Sequence, residues 1–277
     1  MAEGSLNERP LGIRLYLAAK RVVPRPFGRR PPVTVFVTGT PRSGTNMLMY
    51  ALDRTFQTTA LHETDPRAYE DFALRDLGTI RALRDSTRGS YMIVKCLMEG
   101  ERLTDMTRAL APARGIWLTR HVDAMVRSHQ KSFPGNREAI DEIVADRSAG
   151  VWRARGMSEE THELLRSAYR PGLSDENAAA LFWWQRNRLV FDQRLPDRPD
   201  MAILDYDRLT ENPHGTGRAL AARLGLPYSR FMYSGIVARA PGVRREVPLA
   251  PHIRELCEEM WARIGACALR PSADDAA

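Results

Sequence analysis

The stretch from Val33 to Leu52 constrains this chain more than any other, because it joins an apolar run, a turn of small residues and an amphipathic segment. The apolar run predicts a buried β-strand, and the residues after Gly44 predict a helix with one apolar face. Gly39 and Gly44 bracket a four-residue turn, in which backbone N–H groups can converge on an anion at the positive end of the helix. The sequence therefore predicts a phosphate-binding loop between a first strand and a first helix.

The two residues after Gly44 distinguish this loop from that of a nucleoside triphosphatase. The G-x-x-x-x-G spacing is that of the P-loop, but Thr45 and Asn46 stand where such an enzyme has Lys and then Ser or Thr. Asn46 is a poor replacement for the hydroxyl that holds Mg²⁺, whereas Arg42 puts a permanent cation inside the turn. The loop suits a ligand with one 5′-phosphate and a further anionic group, with no obligatory metal.

Three segments in the right order resemble the sulfotransferase family. Residues 40–46 (TPRSGTN) resemble the loop that binds the 5′-phosphosulfate. Residues 117–128 (WLTRHVDAMVRS) resemble the 3′-phosphate segment, in which a strand ends in Arg and a Ser follows eight residues later, although Val122 stands where the family commonly has Pro. Residues 204–227 are similar to the late segment that combines Tyr-[Glu/Asp]-Asp-Leu, Asn-Pro and Leu-Gly-[Leu/Val]-Pro.

The resemblance implies transfer of a sulfuryl group from 3′-phosphoadenosine 5′-phosphosulfate (PAPS) to an acceptor hydroxyl or amine, with release of 3′-phosphoadenosine 5′-phosphate (PAP). In-line attack on sulfur needs no metal, because catalysis comes from positioning and from stabilising charge on the transferring and leaving oxygens. Arg42 and Lys95 are the expected sources of that charge. The residues expected to bind the 5′ end are Pro41, Arg42, Ser43, Gly44, Thr45 and Asn46.

The 3′-phosphate is expected to bind Arg120 and Ser128, and Tyr206 takes the position of the family's nucleotide-side Tyr. An Arg at a strand end and a Ser one to two turns into the next helix can converge on one phosphate. Arg244 and Arg245 are further candidates for this phosphate, the alternative being a solvated pair before the last helix.

The general base is expected after the second strand. Cytosolic members of the family use the His of a Lys-Thr-His segment, but two residues after Lys95 this chain has Leu97. Glu63 and the Thr after it are similar to the Glu-Glu-Thr stretch that supplies a glutamate base in tyrosylprotein sulfotransferases. Glu63 is therefore the first candidate and His62 the second, whereas Asp65 before a proline is expected to shape the turn.

Strands that alternate with helices predict an α/β fold, a doubly wound and mostly parallel sheet with helices on both faces and a P-loop-NTPase-like core. We expect one sulfotransferase domain over residues 33–270, preceded by an N-terminal helix and a basic extended lead (1–32) and followed by a disordered tail (271–277). In residues 134–175 the alternation of strands and helices stops. We interpret this segment as an insertion, either an acceptor-binding lid or a plain surface elaboration. Residues 69–84 are predicted to be mostly helical.

Composition narrows the class of protein. The chain has 277 residues, a formal charge of +7, and only three lysines among 41 basic residues. The basic residues are dispersed among acids with no nucleic-acid-binding pattern, so no nucleic-acid partner is expected. Three scattered cysteines and the lack of an apolar stretch of about 18 residues predict a soluble protein of the reducing cytoplasm. The basic amphipathic residues 11–23 are expected to dock on the body, the alternative being contact with a membrane surface.

Two other functions stay open on the sequence. A P-loop nucleoside or small-molecule kinase would need Lys and Ser or Thr after Gly44, and a non-catalytic nucleotide-binding protein would bind the donor without turnover. The acceptor class is also open, because a small molecule, a lipid, a sugar or a peptide tyrosine would be chosen by residues outside the three matching segments.

Overall fold

The computed structural model describes Tyr16, Ala19, Lys20 and residues 31–133, 135–148, 151–238 and 245–272. The strands in this part of the chain are β1 (Val33–Gly39), β2 (Thr58–Leu61), β3 (Tyr69–Glu70), β4 (Ala73–Leu74), β5 (Tyr91–Lys95), β6 (Ala113–Thr119) and β7 (Met201–Asp205). Five of them form one sheet in the order β2-β5-β1-β6-β7, and every neighbouring pair is parallel.

The helices connect the strands and cover the sheet. Those in the described residues are α1 (Thr45–Leu52), α2 (Leu77–Ser86), α3 (Leu103–Ala109), α4 (Val122–Gln130), α5 (Asn136–Ala145), α6 (Val151–Ala154), α7 (Glu159–Ala168), α8 (Asp175–Asp192), α9 (Tyr206–Glu211), α10 (Pro213–Leu224), α11 (Arg230–Tyr233) and α12 (Pro251–Cys267). Short 3₁₀ turns occupy Gly100–Arg102 and Leu195–Asp197.

The sheet has an apolar core on each face, which is why its strands read as continuous apolar runs. One core contains Phe36, Trp117 and the large side chains of α8, and the other contains Val35 and the apolar face of α1. All seven residues of β1 are buried, because this strand lies at the centre of the sheet. The predicted α/β class, with a mostly parallel sheet and helices on both faces, is confirmed.

The predicted helix over 69–84 is wrong in its first half. Residues 69–74 form the antiparallel β3-β4 hairpin, and helix α2 begins only at Leu77, after Asp76 caps it by accepting hydrogen bonds from two backbone N–H groups. The hairpin turns at Asp71 and Phe72, with φ values of 47° and 65°. A left-handed Phe is rare, so the residue types of this turn gave no signal of a hairpin.

Helix α8 is buried on almost every side. It begins after Ser174, whose hydroxyl accepts a hydrogen bond from the Asn177 backbone N–H, and Trp183 and Arg186 on it are completely buried. Residues 134–175, predicted to be an insertion, contribute helices α5, α6 and α7, and α5 packs against α8. These helices therefore extend one of the two cores, and the role of a lid stays a prediction.

The described residues of the N-terminal segment lie against the body of the protein. The Lys20 ammonium contacts the Asp53 carboxylate and lies 3.3 Å from Thr58 Oγ1, while the Tyr16 hydroxyl donates to the Arg54 carbonyl at 3.2 Å. These partners follow the carboxyl end of α1, at the end of that helix away from the loop. No helix within the described residues combines the length and apolarity that crossing a bilayer requires.

Candidate active site

The turn between β1 and α1 is fixed by close backbone packing. Gly39 has φ of 149°, and a Cβ atom there would lie 1.9 Å from the Leu118 carbonyl oxygen on β6. The neighbouring strand therefore leaves room only for glycine at this position. Arg42, inside the turn, has the left-handed φ of 64°, a conformation that costs energy for a residue with a side chain. Such strain is concentrated at functional sites, so this conformation supports Arg42 as a candidate site residue.

The first turn of α1 has backbone N–H groups that no side chain caps. Gly44 precedes the helix with no capping side chain, and the first turn contains no acidic residue. The hydroxyl oxygens of Thr40 and Ser43 are buried in the turn and have no hydrogen-bond partner among the described residues. Buried hydroxyls are normally paired, so these two groups and the uncapped N–H groups fit a bound phosphate or sulfuryl group.

Arg42 joins the loop to helix α4. Its Nε atom donates to the Ser128 Oγ atom at 3.0 Å, across 86 residues of sequence. Arg42 and Ser128 were predicted to bind the two ends of the same nucleotide, and the structure places their side chains in direct contact. A guanidinium has five N–H donors, so this bond leaves others for a ligand.

A second contact joins the three segments that resemble the sulfotransferase family, and it involves Arg120, Tyr206 and Gly44. The Arg120 guanidinium carbon lies 4.3 Å from the centre of the Tyr206 ring, a cation–π distance. A Cβ atom at Gly44, where φ is 94°, would lie 2.3 Å from Tyr206 Cδ2, so the tyrosine ring covers the start of α1. The Arg120 carbonyl also accepts a hydrogen bond from the Trp183 indole at 2.8 Å. This arginine is thus held beside the loop by both its backbone and its side chain.

Lys95, Asn46 and Glu63 form a polar cluster at the carboxyl ends of β5 and β2. The Lys95 ammonium donates to Asn46 Oδ1 at 2.8 Å and forms an ion pair with Glu63 Oε2. Lys95 has only 5% of its surface exposed, whereas the Glu63 side chain is 18% exposed. Two of the predicted catalytic residues therefore contact each other, and Lys95 contacts the helix that follows the β1–α1 turn.

The neighbours of Glu63 have different surroundings. The His62 ring lies 5.0 Å from the Tyr50 ring on α1. Asp65 accepts hydrogen bonds from the Arg67 side chain and backbone, and these bonds, chiefly the side-chain one, hold the pKa of its carboxyl below the usual value. The Asp65 carbonyl also accepts from the backbone of Ala68. Asp65 is therefore a turn residue, as predicted, and both base candidates stand beside α1.

The structure describes only one of the two arginines, Arg244 and Arg245, that were predicted as further candidates for the 3′-phosphate. Arg244 lies outside the described residues. Arg245 is exposed, and two residues later the Val247 backbone N–H donates to Asp123 Oδ1 at 3.0 Å. This bond ties the segment to the first turn of α4, close in sequence to Arg120. A contact between Arg245 and the 3′-phosphate stays a prediction.

The sequence interpretation missed His129, the residue after Ser128. It is 2% exposed, and its Nδ1 atom has no hydrogen-bond partner among the described residues. Its ring lies 5.4 Å from Phe133 and 5.8 Å from Phe182. Burial, and then the positive charges of Arg153 and Arg42, lower the pKa of His129 to about 4, so the imidazole is neutral at neutral pH. Only its position next to Ser128 could have drawn attention to it.

One group of possible metal ligands lies within the described residues, formed by His121, Asp123 and Glu258. Arg254 already contacts both carboxylates, at 2.9 Å from Asp123 and 3.4 Å from Glu258. The charge that a cation would supply is thus provided by a guanidinium. We interpret the cluster as the attachment of α12 to the start of α4, where His121 accepts a hydrogen bond from the Asp123 backbone N–H.

Comparison with known proteins gives similar structures but no sequence match. No protein-family model and no curated protein matches the chain. Similar solved structures include the sulfotransferase domain from the curacin biosynthetic pathway, with 14% identity, a TM-score of 0.46, and coverage of 89% of this chain and 96% of that one. A sulfotransferase from Alicyclobacillus acidocaldarius has 17% identity and a TM-score of 0.48, covering 89% and 99%. The sulfotransferase domain of the Synechococcus PCC 7002 olefin synthase has 14% identity and a TM-score of 0.49, covering 90% and 92%.

Proposed function

We propose that this protein is a sulfotransferase that moves a sulfuryl group from PAPS to an acceptor hydroxyl or amine. The observation that carries the proposal is the meeting of two anion-binding groups at one edge of the sheet. The loop with Arg42 contacts Ser128, and Arg120 lies over the tyrosine that covers Gly44. Two arginines from separate segments beside one helix start suit a nucleotide with anionic groups at both its 5′ and 3′ positions.

The surroundings of the loop favour this reaction over a metal-dependent kinase. A P-loop kinase holds its β- and γ-phosphates with a Lys inside the loop and its Mg²⁺ with a following hydroxyl and an acidic strand end. Here the lysine comes from β5, and Asn46 contacts it. Asp205, at the end of β7, caps helix α9 by accepting from the Asp207 backbone N–H at 2.8 Å. These residues suit an anion that is neutralised by protein cations.

The chemistry assigned to each residue follows from its position. The acceptor oxygen attacks sulfur, a new O–S bond forms, and the bond from sulfur to the phosphate oxygen breaks with its electron pair going to PAP. Glu63 takes the proton of the acceptor, and His62 is the alternative base. Lys95 and Arg42 stabilise the negative charge that develops on the transferring and leaving oxygens. Arg120 and Ser128 hold the 3′-phosphate.

Ligand binding separates this function from the kinase alternative. Thermal unfolding should be measured with PAP, with ATP and Mg²⁺, and with adenosine 5′-phosphosulfate, which lacks the 3′-phosphate. At 100 times its Kd a ligand stabilises the native state by about 2.7 kcal/mol, so PAP should raise Tm by several degrees. ATP with Mg²⁺ should raise it far less. Equal stabilisation by both nucleotides, or stabilisation by ATP alone, would overturn the proposal.

Turnover separates an enzyme from a non-catalytic nucleotide-binding protein. PAP release and sulfated products should be followed by mass spectrometry against lipid, sugar, peptide-tyrosine and small-molecule acceptors. An active acceptor class should release PAP from the wild-type protein, and Glu63→Gln should lower kcat by roughly 10²–10⁴. Donor binding without PAP release for any acceptor would favour the non-catalytic alternative. Near-normal turnover in Glu63→Gln together with collapse in His62→Ala would transfer the role of base to His62.

A further inference from the structure

Lys95 has two partners that belong to two different parts of the proposed reaction. Its ammonium donates to Asn46 Oδ1 at 2.8 Å, and Asn46 is the second residue of the helix that begins at the anion-binding loop. The same ammonium forms an ion pair with Glu63, the candidate base at the end of β2. Because β5 lies between β1 and β2, its last residue reaches both the loop and the base.

The ion pair restricts Glu63 in its role as a base, because it occupies one of the two carboxylate oxygens and restrains the direction of the other. A carboxylate has two oxygens, and Oε2 of Glu63 accepts from Lys95. A proton acceptor must be within hydrogen-bond reach of the hydroxyl that it deprotonates, so an oxygen that is bound to an ammonium is poorly available. Lys95 is 5% exposed, and a nearly buried ammonium needs a negative partner at all times. Glu63 can therefore be released only if another anion replaces it.

We propose that the sulfuryl group of the donor is that anion, and that Lys95 exchanges Glu63 for the sulfuryl oxygens when the donor binds. The inference rests on the proposed function and adds two consequences to it. Lys95 distinguishes the donor from PAP, which has no sulfuryl group and leaves the ion pair with Glu63 intact. The base also becomes available only after the donor has bound, so an acceptor is deprotonated only when the donor is in place.

The exchange predicts that removing the charge of Glu63 strengthens donor binding. In the wild-type protein the sulfuryl group must compete with the Glu63 carboxylate for one ammonium. Glu63→Gln removes the competing charge, so it should strengthen binding of PAPS and leave binding of PAP nearly unchanged. Coupling between two such sites typically changes an affinity about 5- to 150-fold, and we expect a change of about tenfold in the ratio of the two affinities.

The decisive measurement is a double-mutant cycle on that ratio. The Kd values of PAPS and PAP should be measured by calorimetry, without acceptor, for the wild type, Glu63→Gln, Lys95→Met and the double variant. The ratio of Kd(PAP) to Kd(PAPS) should rise about tenfold in Glu63→Gln and fall in Lys95→Met. In the Lys95→Met background, Glu63→Gln should have little further effect. Lys95→Gln replaces Lys95→Met if the latter does not fold.

One control variant makes the result specific. Asp65→Asn removes a carboxylate from the same segment, but that carboxylate is bonded to Arg67, so the ratio should not change. If Glu63→Gln raises the ratio of Kd(PAP) to Kd(PAPS) equally in the wild type and in Lys95→Met, the effect is simple repulsion between Glu63 and the sulfuryl group. The proposed exchange would then be wrong. An unchanged ratio in Glu63→Gln would also overturn it, with the proposed function intact. Failure of every variant and the wild type to bind PAP or PAPS would overturn the proposed function itself.

Discussion

The Arg120 guanidinium is held in place before any ligand arrives. It packs on Tyr206 at 4.3 Å, and the backbone carbonyl of the same residue is bonded to Trp183. A group that is already ordered loses little further freedom when it binds an anion, so it contributes more to affinity. Its neighbour in the proposed site, Arg42, is likewise bonded to Ser128. Under the proposed function, these two arginines would hold the two charged ends of the nucleotide.

Arg120→Ala tests the assignment of the 3′-phosphate. A hydrogen bond to a charged group is worth about 1.5–3 kcal/mol, so the donor KM should rise by roughly 10- to 150-fold. The preference for PAPS over adenosine 5′-phosphosulfate should disappear, because that preference depends on the lost contact. Steady-state kinetics with both donors measures the two effects. Arg245→Ala, at an exposed residue, tests the other candidate for this phosphate in the same assay. A preference for PAPS that survives in Arg120→Ala contradicts the assignment.

The buried His129 should make the free energy of unfolding depend on pH in the acidic range. Its pKa is about 4 in the folded protein and about 6.5 in an unfolded chain, so the unfolded state binds more protons between these values. The free energy of unfolding should therefore fall as the pH falls from about 6.5 to about 4, by up to roughly 3 kcal/mol from this residue. Urea unfolding at several pH values should show a smaller fall in His129→Gln than in the wild type. Parallel curves for the two proteins would contradict the buried, neutral imidazole.

The candidate site is built from the carboxyl ends of neighbouring parallel strands. The sheet order brings β1, β5 and β2 side by side, so the loop, Lys95 and Glu63 meet although they are far apart in sequence. The positions of the strands could be predicted, since buried parallel strands are apolar runs. The ion pair between Lys95 and Glu63 could not, because 32 residues separate the partners and their contact depends on which strands pair.

A substitution in the turn between β1 and α1 tests the contact between Gly44 and Tyr206. Gly44→Ala would place a Cβ atom 2.3 Å from Tyr206 and would strain a φ of 94°, so both folding stability and PAP affinity should fall. Gly225→Ala is a matched control, because Gly225 also has a positive φ, 66°, but nothing lies within 4 Å of its Cβ position. Thermal unfolding and PAP binding should be measured for both. We expect a loss of PAP affinity only in Gly44→Ala, and similar affinities in the two variants would contradict the contact with Tyr206.

The proposed site and the described N-terminal residues lie at opposite ends of helix α1. The loop precedes Thr45, whereas Lys20 contacts Asp53 after the other end, about 12 Å away for a helix of eight residues. The amphipathic pattern of residues 11–23 predicted docking on the body, and of these residues the structure describes Tyr16, Ala19 and Lys20, of which Tyr16 and Lys20 contact residues after α1. Which part of the body they contact could not be predicted, because it depends on where α1 ends in space.

Because of this separation, substitutions at the two ends of α1 should have different effects. Lys20→Met leaves the Asp53 carboxylate without the ammonium that contacts it and should lower the free energy of unfolding by roughly 1–3 kcal/mol. PAP affinity should stay within about twofold of the wild type, because distant sites act independently. Urea unfolding and calorimetry with PAP measure the two quantities. Arg42→Met is the opposite case, since it lies in the loop and should weaken PAP binding more than it lowers stability. A variant at Lys20 that loses PAP affinity as strongly as one at Arg42 would mean that the two ends of α1 are coupled.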